Sequence, residues 1–527
     1  MPKKSYLIGT RGSLLATTQC QQVKKQLEDL TGDQFELKII KTRGDEQTDK
    51  ALWQLDGKDF FTRELDHALL AGEVDLVVHS YKDLGSVRPE GIKLAAITQR
   101  KFGNDILLMP QTTIAKLKEK TEVIIGTSSP RRIVNLEKSL PTYLPAGKDQ
   151  PLRVITKLLR GNINTRIEKL RDGHYDGIVL AFAGLERLAM DPVASEVLKN
   201  LLSGMNFMIL PQSRFPWAAS QGALAIEVAE NRNDENELAN KINFIHHGQT
   251  AEAVAVERKA FASYGGGCHL AVGIAAELIP DVGILTSHQG QVDHREVDSL
   301  TMVRTQPLSK IKLNAQDKIF IGTATNTMNA KRFLHDEWIE KKPVNSTVAT
   351  EIKAHYFLSH PHTADALKRN EISAGSFLWA AGEKTHKKAA KFGLWVNTHA
   401  DGLGESSLDK WLDSALLKLF GADRLLPWKS LTHKKGVSAL GEVIEGYERI
   451  PQIINEEFKA NLGSAKVFYW TSYSQYQDYL PLLQNEKQRH HFCGIGKTWQ
   501  RLKQAGISVT AVTGMQEFLE LIDYQEN

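Results

Sequence analysis

One short pattern occurs twice in the first 130 residues: an apolar strand runs into a Gly-Thr turn with a serine close behind. It reads LIGTRGS at 7–13 and EVIIGTSS at 122–129. A strand that delivers a small-residue turn into a helix opens a βαβ unit. A chain that restarts the pattern builds two such units. Around the first copy, SYLIGT (5–10) reads as a strand, 13–30 as a helix and FELKIIKT (35–42) as a strand. A helix near 62–71 then precedes the buried strand DLVVHS (75–80), and IKLAAIT (92–98) follows. Around the second copy come a helix from Ser128 to about Leu140, a strand in LRVITKLL (152–159), a helix at 162–172 and the strand GIVLAFA (177–183). Continuous apolar runs alternating with helical periodicity predict α/β units with largely parallel sheets.

A Pro-bearing joint within 206–230 ends this pair. A helix-rich segment at 233–264 leads to SYGGGCHLAVG (263–273), and short strands run to about 305. Residues 306–314 read as a linker. Alternation resumes from 315 in IFIGTAT, HYFLSH, SFLWAAGEKT, KVFYWTS, HFCGIGKT and ISVTAVTG, which predicts a further two-lobed α/β region over 315–527.

Bulk properties exclude several classes. A net charge of +4 over 527 residues is too small for a nucleic-acid coat. Cys20, Cys268 and Cys493 are odd in number and far apart, so neither a zinc site nor a disulfide framework is expected. The N-terminus lacks an apolar run of signal-peptide length, and no stretch approaches a membrane span. We expect a cytoplasmic monomer that acts on small molecules, without nucleic acid, membrane or metal.

The two Gly-Thr turns are candidate anion sites, because a helix N-terminus offers free N–H groups and a partial positive charge. Arg11 belongs to the first turn, and Arg131 and Arg132 to the second. Arg160, Arg166 and Arg187 follow in the same α/β unit. Arginine suits carboxylates, and open α/β sheets bind ligands at strand C-termini. Solvated surface charge is the plainer reading of any one of them. HSYKDL (79–84) ends a strand with Lys82, which could bind a carboxylate, and Asp83, a general acid/base or cation stabiliser or else a helix cap. Cys268, behind three glycines, is a candidate nucleophile or a small apolar turn residue.

Taken in order, the motifs IGTRGSLLATTQ (8–19), TRGD (42–45), GKDFFTRELDHALL (57–70), DLVVHSYKDL (75–84), GTSSPRR (126–132), LRGNINTRIEKL (159–170), DGIVLAFAGLERL (176–188), SQGALAIE (220–227) and GGGC (265–268) resemble the hydroxymethylbilane synthase (porphobilinogen deaminase) family. The resemblance spans about residues 5–300. It implies two periplasmic-binding-protein-like domains, 1–100 with 206–228 and 101–205, plus a small α+β domain, 229–305, that carries Cys268. It further implies a dipyrromethane cofactor bound at Cys268 through a thioether. On that primer four porphobilinogen units are condensed head to tail, each losing ammonia. By motif match Asp83 is catalytic. Ser13, Lys82, Thr127, Ser128, Ser129, Arg131 and Arg132 hold the cofactor. Arg11, Arg160, Arg166 and Arg187 hold the incoming pyrrole.

Five positions depart from the family pattern: Asp59 in KDFF, Tyr81 before Lys82, Gly85 after Leu84, Ser220 in SQG, and Ala271 where proline is usual. Residues 315–527 are similar, more loosely, to uroporphyrinogen-III synthase, in HYFLSHPHTADAL, FLWAAGEKT, DGLGESSLDKWL, VFYWTSYSQYQDYL and HFCGIGKTWQRLKQAGISV. That resemblance implies two α/β lobes that cyclise hydroxymethylbilane, with Thr471, Tyr473, Ser359, Thr385 and Lys497 as candidate site residues. A non-catalytic C-terminal region is the alternative. For the N-terminal half the rivals are an anion-binding module without chemistry and a LysR-type effector domain. The latter is disfavoured because SYLIGT is already a core strand at the N-terminus.

Overall fold

A computed structural model describes residues 3–42, 62–147, 152–267, 269–314, 316–323, 332–336, 338–344, 352–368, 372–483 and 489–524. The chain divides into two compact units. The first comprises Met1–Leu278, Thr286–Ser299 and Asp413–Asp423, and the second Ile279–Leu285, Leu300–Leu412 and Arg424–Asn527. No helix among the described residues is long and apolar enough to cross a membrane.

The first unit is built on β1 (Ser5–Thr10), β2 (Gln34–Ile39), β3 (Leu76–Ser80), β4 (Ile92–Ile97), β5 (Asp105–Pro110), β6 (Glu122–Gly126), β7 (Arg153–Lys157), β8 (Gly177–Ala181), β9 (Met205–Ile209) and β10 (Leu224–Ala229). They form two five-stranded sheets, in the orders β2-β1-β3-β10-β4 and β7-β6-β8-β5-β9. Helix α1 (Leu14–Thr31) buries Cys20, Val23 and Leu27, spaced to share one face, against Tyr6, Ile8, Phe35 and Leu76 of the first sheet. It starts at Ser13, whose Oγ accepts the Ala16 N–H, and stops at Gly32 in the left-handed conformation. Helices α2 (Pro130–Ser139), α3 (Ile163–Arg171) and α4 (Phe182–Ala189) accompany the second sheet.

The expectation of largely parallel sheets needs correction. β1 pairs in parallel with β2 and β3, and β6 with β7 and β8. β10 runs antiparallel to β3 and β4, and β5 runs antiparallel to β8 and β9. Each sheet takes in a strand that arrives along a connection from the other sheet and so enters reversed. Apolar periodicity reports a strand's burial, not its direction. Met205–Ile209 belongs to the second sheet through β5.

Helix α5 (Gly248–Ser263) leads to the Gly-Gly-Gly arm. Beyond it β11 (Ala271–Ile279), β12 (Gly283–Val292) and β13 (Arg295–Val303) pair in that order. Asp413–Asp423 contributes a short helix, α6 (Ala415–Leu419), to the first unit. Buried Glu186 accepts the Ser414 hydroxyl and the Ala415 and Leu416 N–H groups at its start.

The second unit contains β14 (Ile311–Leu313), β15 (Ile319–Ile321), β16 (Phe333–His335), β17 (Ile339–Pro343), β18 (His355–Leu358), β19 (Phe377–Ala380), β20 (Thr398–His399), β21 (Trp428–His433), β22 (Glu442–Pro451), β23 (Val467–Trp470), β24 (His490–Gly494), β25 (Val509–Val512) and β26 (Ile522–Tyr524). Its sheets run β16-β15-β23-β24-β25 and β17-β22-β21-β18-β19-β20, and β14 pairs with β26. The strands expected in HYFLSH, KVFYWTS and HFCGIGKT are β18, β23 and β24. Tyr356 and Leu358 fill one lobe's core, and Phe468, Trp470 and Cys493 the other's.

Candidate active site

β3 ends at Ser80, which is tied to α1 by hydrogen bonding with the Gln19 side-chain amide. The chain then makes a single 3-10 turn, Tyr81–Asp83. Asp83 is exposed. Lys82 Nζ donates to Gln221 Oε1 at 3.2 Å. Crowding by protein lowers the Lys82 ammonium to about 8; Arg132 and Arg131 add to the fall, and Asp83 and Asp105 oppose it. Its side chain still reaches water, which tempers the shift.

Gln221 continues inward, donating to Asp105 Oδ1 at 2.9 Å and to the Gly103 carbonyl at 2.7 Å. Asp105 is almost fully enclosed. It accepts two bonds from Arg132, Nε at 3.0 Å and Nη2 at 2.7 Å, and pairs with Arg131 Nη1 at 2.8 Å. Burial pushes its carboxyl up, but the two guanidinium charges outweigh that and hold it well below the usual carboxylate range. Arg131 also donates to the Pro216 carbonyl, and Arg132 to that of Val179. Both expected cofactor-binding arginines are therefore buried on an internal carboxylate and lend the site field as well as contacts.

Around them stand the remaining residues of the second turn. Thr127 is buried, and its Oγ1 accepts the Ser129 N–H. Ser129 occupies the cap of α2 without a side-chain bond to the helix, with Pro130 at the first position. Ser128 and Ser129 are half-buried. Arg166 spends Nε on the Gly161 carbonyl. Burial, then the charges of Arg132 and Arg160, lower it to about 10. Arg160 is half-buried and also lowered by burial. The charge of Arg11, in the first turn, reaches His79. Arg187 is placed differently: only 4% exposed, it donates to the Gly222 carbonyl. That bond ties α4 to the joint that carries Gly222.

Beneath the Lys82–Asp83 turn, Asp66, His79 and Glu227 lie close enough to share a cation. Arg88 fills that role, bonding both Glu227 oxygens and Asp66. Burial, then the charges of Arg88 and Arg11, lower the His79 imidazole to about 3, so it is neutral.

Three residues that sequence reasoning missed organise this region. Asp105 opens β5, and Gln221 sits unremarked inside the quoted SQGALAIE. The third is Arg258 on α5. Its guanidinium stacks on the Tyr81 ring at 4.6 Å and donates to the carbonyls of Leu84 and Gly85. Two departures from the family pattern, Tyr81 and Gly85, thus share one partner.

The arm that follows α5 requires its glycines. Gly265, Gly266 and Gly267 have φ of 92°, 61° and 92°. A side chain at Gly266 would press on Ser86 and Phe261, so the arm passes close to the turn that carries Asp83. Cys268 itself lies outside the described residues, as does Asp59. Cys20 and Cys493 are core residues whose thiols burial pushes up to about 12. Ser220 adopts φ of 67° with its Oγ buried and unpartnered among the described residues, the conformation a glycine would favour. Ala271 opens β11.

In the second unit, Thr471 Oγ1 is engaged with the Gly322 carbonyl and Gln475. Tyr473 begins a helix, α7 (Tyr473–Tyr479), beneath the Arg501 guanidinium at 5.8 Å. Thr385 is buried. Lys497 Nζ donates to the Val437 carbonyl at 3.2 Å. Ser359 has a buried, unpartnered Oγ among the described residues.

The first-unit site joins several cations, Lys82 beside exposed Asp83, Arg131 and Arg132 on Asp105, and Arg166 within the field of Arg132 and Arg160. Ser128 and Ser129 stand at the mouth of α2, and the two terminal nitrogens of Arg166 have no partner among the described residues. Such a donor set fits a group bearing several carboxylates, as a dipyrromethane does.

Comparison with known proteins agrees on this unit. The family model "Porphobilinogen deaminase, dipyromethane cofactor binding domain" matches residues 6–237. A porphobilinogen deaminase of Neisseria meningitidis serogroup A is 38% identical over 296 residues, 56% of this chain and 85% of the relative. A probable porphobilinogen deaminase of Methanosarcina mazei is 39% identical over 277 residues, 52% of this chain and 78% of the relative. Among solved structures, a uroporphyrinogen-III synthetase from Helicobacter pylori aligns with a TM-score of 0.27 at 13% identity, over 39% of this chain and 97% of that one.

Proposed function

This chain belongs to the porphobilinogen deaminase family, and from that premise we propose that its first unit condenses four porphobilinogen molecules into hydroxymethylbilane, a transferase step of tetrapyrrole and haem synthesis. In this family a dipyrromethane is attached covalently at a cysteine, and it supplies the pyrrole carbon from which the chain grows. We assign that cysteine to Cys268. The three-domain division proposed from sequence is kept with one change, because Met205–Ile209 joins the second sheet: 1–100 with 210–228, 101–209 and 229–305.

The observation that carries the reading is a linked run of cations beside exposed Asp83: Lys82 feels Asp83, Arg131 and Arg132, and Arg166 feels Arg132 and Arg160. Each porphobilinogen brings an acetate and a propionate. Lys82, Arg166, Arg160 and Arg11 hold these carboxylates, aided by Ser13, Thr127, Ser128 and Ser129. As the substrate's C–N bond breaks, ammonia leaves and its methylene carbon becomes electron-poor. Asp83 stabilises that positive charge and accepts hydrogen bonds from pyrrole N–H groups. The dipyrromethane so held would supply the free pyrrole carbon that bonds to this methylene carbon with loss of one proton. Arg131 and Arg132, fixed by Asp105, supply a standing positive field.

The test is the intact mass of the purified protein with peptide mapping around Cys268. A mass excess of two linked pyrroles on that peptide supports the reading. An unmodified thiol in protein from a porphobilinogen-replete host would favour an anion-binding module without chemistry.

A second activity is proposed for residues 315–527: closure of hydroxymethylbilane to uroporphyrinogen III, a lyase reaction that would make the chain multifunctional. Its support is the two-lobed α/β architecture of the second unit together with the motif resemblance over 315–527. The uroporphyrinogen isomer formed from porphobilinogen tests it. Isomer I alone would mean that the C-terminal region is non-catalytic.

A further inference from the structure

Within the second unit, strands β17, β22 and β21 bring an unusual set of side chains to one face. β17 and β22 pair antiparallel with Lys341 opposite Arg449 and Pro343 opposite Tyr447. Tyr447 is in turn opposite His433 across β21. Residues two apart on a strand share a face, so Lys341, Arg449, Tyr447 and His433 line the same side. His360, just past the end of β18, completes the row. Its ring lies 4.8 Å from that of Tyr447, and the His433 ring lies 5.7 Å from Tyr447.

Two like charges directly across a strand pair are unfavourable, more so when half-buried. Only one of the two is neutralised here. Arg449 Nε donates to Asp478 Oδ2 on α7 at 3.1 Å. Lys388 is paired with Asp365. Asp336 accepts from Gln475 and Tyr479. Lys341 has no ion pair among the described residues, and burial lowers its ammonium, with Arg449 adding to the fall and Asp336 and Asp478 opposing it.

His360 is set to donate toward this face. His360 Nδ1 accepts the His362 N–H at 3.2 Å, which places the ring proton of the neutral imidazole on Nε2. Burial, then the nearby cations Lys341, His362, Lys388 and Arg449, keep that ring neutral. His433 Nε2 meets Ser474 Oγ on α7 at 3.1 Å. An anion beside Lys341 would meet an ammonium and an imidazole N–H in a partly dry recess.

We propose that the face formed by Lys341, Arg449, Tyr447, His433 and His360 binds a carboxylate of a polycarboxylated pyrrole, with Lys341 as its ionic partner. The ligand class rests on the second activity proposed above, since the product of the first unit carries many carboxylates. The geometry itself asks only for a carboxylate.

The experiment uses the full chain and uroporphyrin III, a stable octacarboxylate, titrated by fluorescence. A Lys82→Gln background weakens the first unit's own anion site. Lys341→Gln should lower affinity about ten-fold, and Lys341→Arg should restore most of it. Unchanged binding in a folded Lys341→Gln variant would overturn the proposal. In the otherwise unaltered chain, Lys341→Gln should leave hydroxymethylbilane production intact and raise the KM for its cyclisation more than it lowers kcat. If the parent makes only isomer I while uroporphyrin binding still needs Lys341, the anion site stands and the cyclase reading falls. If the parent makes isomer III and Lys341→Gln changes neither binding nor KM, the cyclase reading stands and this site falls.

Discussion

The Arg258 guanidinium lies 4.6 Å from the centre of the Tyr81 ring and donates to the carbonyls of Leu84 and Gly85. One side chain on the helix that leads to the Gly-Gly-Gly arm thereby clamps both ends of the turn that holds Lys82 and Asp83. A half-buried cation–π contact is worth about 0.5–2 kcal/mol, and each hydrogen bond about 1 kcal/mol. Arg258→Ala should cost about 2–3 kcal/mol in the first unit's unfolding transition. Tyr81→Met should cost less. Urea unfolding of the two single variants and the double should give a coupling near 1 kcal/mol; strict additivity would mean that the stack contributes nothing.

Asp83 is an exposed carboxylate next to Lys82. Asp83→Asn keeps the shape and removes the charge. The variant should still carry its covalent pyrroles by mass, while turnover falls by about 10²–10⁴-fold. Turnover like that of the parent would take the proposed role away from this residue.

Lys82 should impose a pH limit on substrate binding. Its ammonium is lowered to about 8 in the folded chain. A bound carboxylate favours the charged form, so affinity is fullest below that value and declines as pH rises through it. The KM for porphobilinogen should therefore climb above pH 8, and Lys82→Arg should flatten the profile. In the ligand-free chain the sign reverses. Between about 8 and the usual 10.5 the folded state holds fewer protons than the unfolded one, so this group adds stability as pH rises. A KM that stays flat in the parent across that range would show that Lys82 does not hold substrate.

Ser220 combines φ of 67° with a buried hydroxyl that has no partner among the described residues. A left-handed non-glycine residue costs about 1–2 kcal/mol, and glycine returns about 0.5–1 kcal/mol of that through its freer unfolded chain. With the orphaned hydroxyl gone as well, Ser220→Gly should gain about 1 kcal/mol, or a rise of about 2–4 °C in the first unit's melting temperature. Calorimetry of the full chain measures it, and a lowered melting temperature would mean that the hydroxyl has an unseen partner.

Much of the first unit was legible in the sequence, because its strands are continuous apolar runs and its helices carry their own caps, such as Ser13 and Asn162. Strand direction was not legible, since β5 and β10 look like any buried strand. In the second unit β15, β18, β19, β23, β24 and β25 were found, but β21 and β22 were missed: TH and YERIP bring polar residues into strands whose burial is set by their neighbours. At the site, Lys82 and Asp83 stood out as charges at a strand end. Asp105, Gln221 and Arg258 did not, because they act through partners 27 to 174 residues away. Arg187 was read as a substrate contact from its motif, GLERL. In the structure its guanidinium donates to a backbone carbonyl.

The strand order of the first sheet also sets a timetable for synthesis. β10 lies between β3 and β4, so that sheet stays split until residue 229 has left the ribosome. The second sheet draws all its strands from 105–209 and is complete earlier. On the nascent chain the later-starting lobe closes first, and the earlier one waits with a gap that only β10 fills. Its open edges at β3 and β4 are, for that interval, the part of the chain most exposed to mispairing.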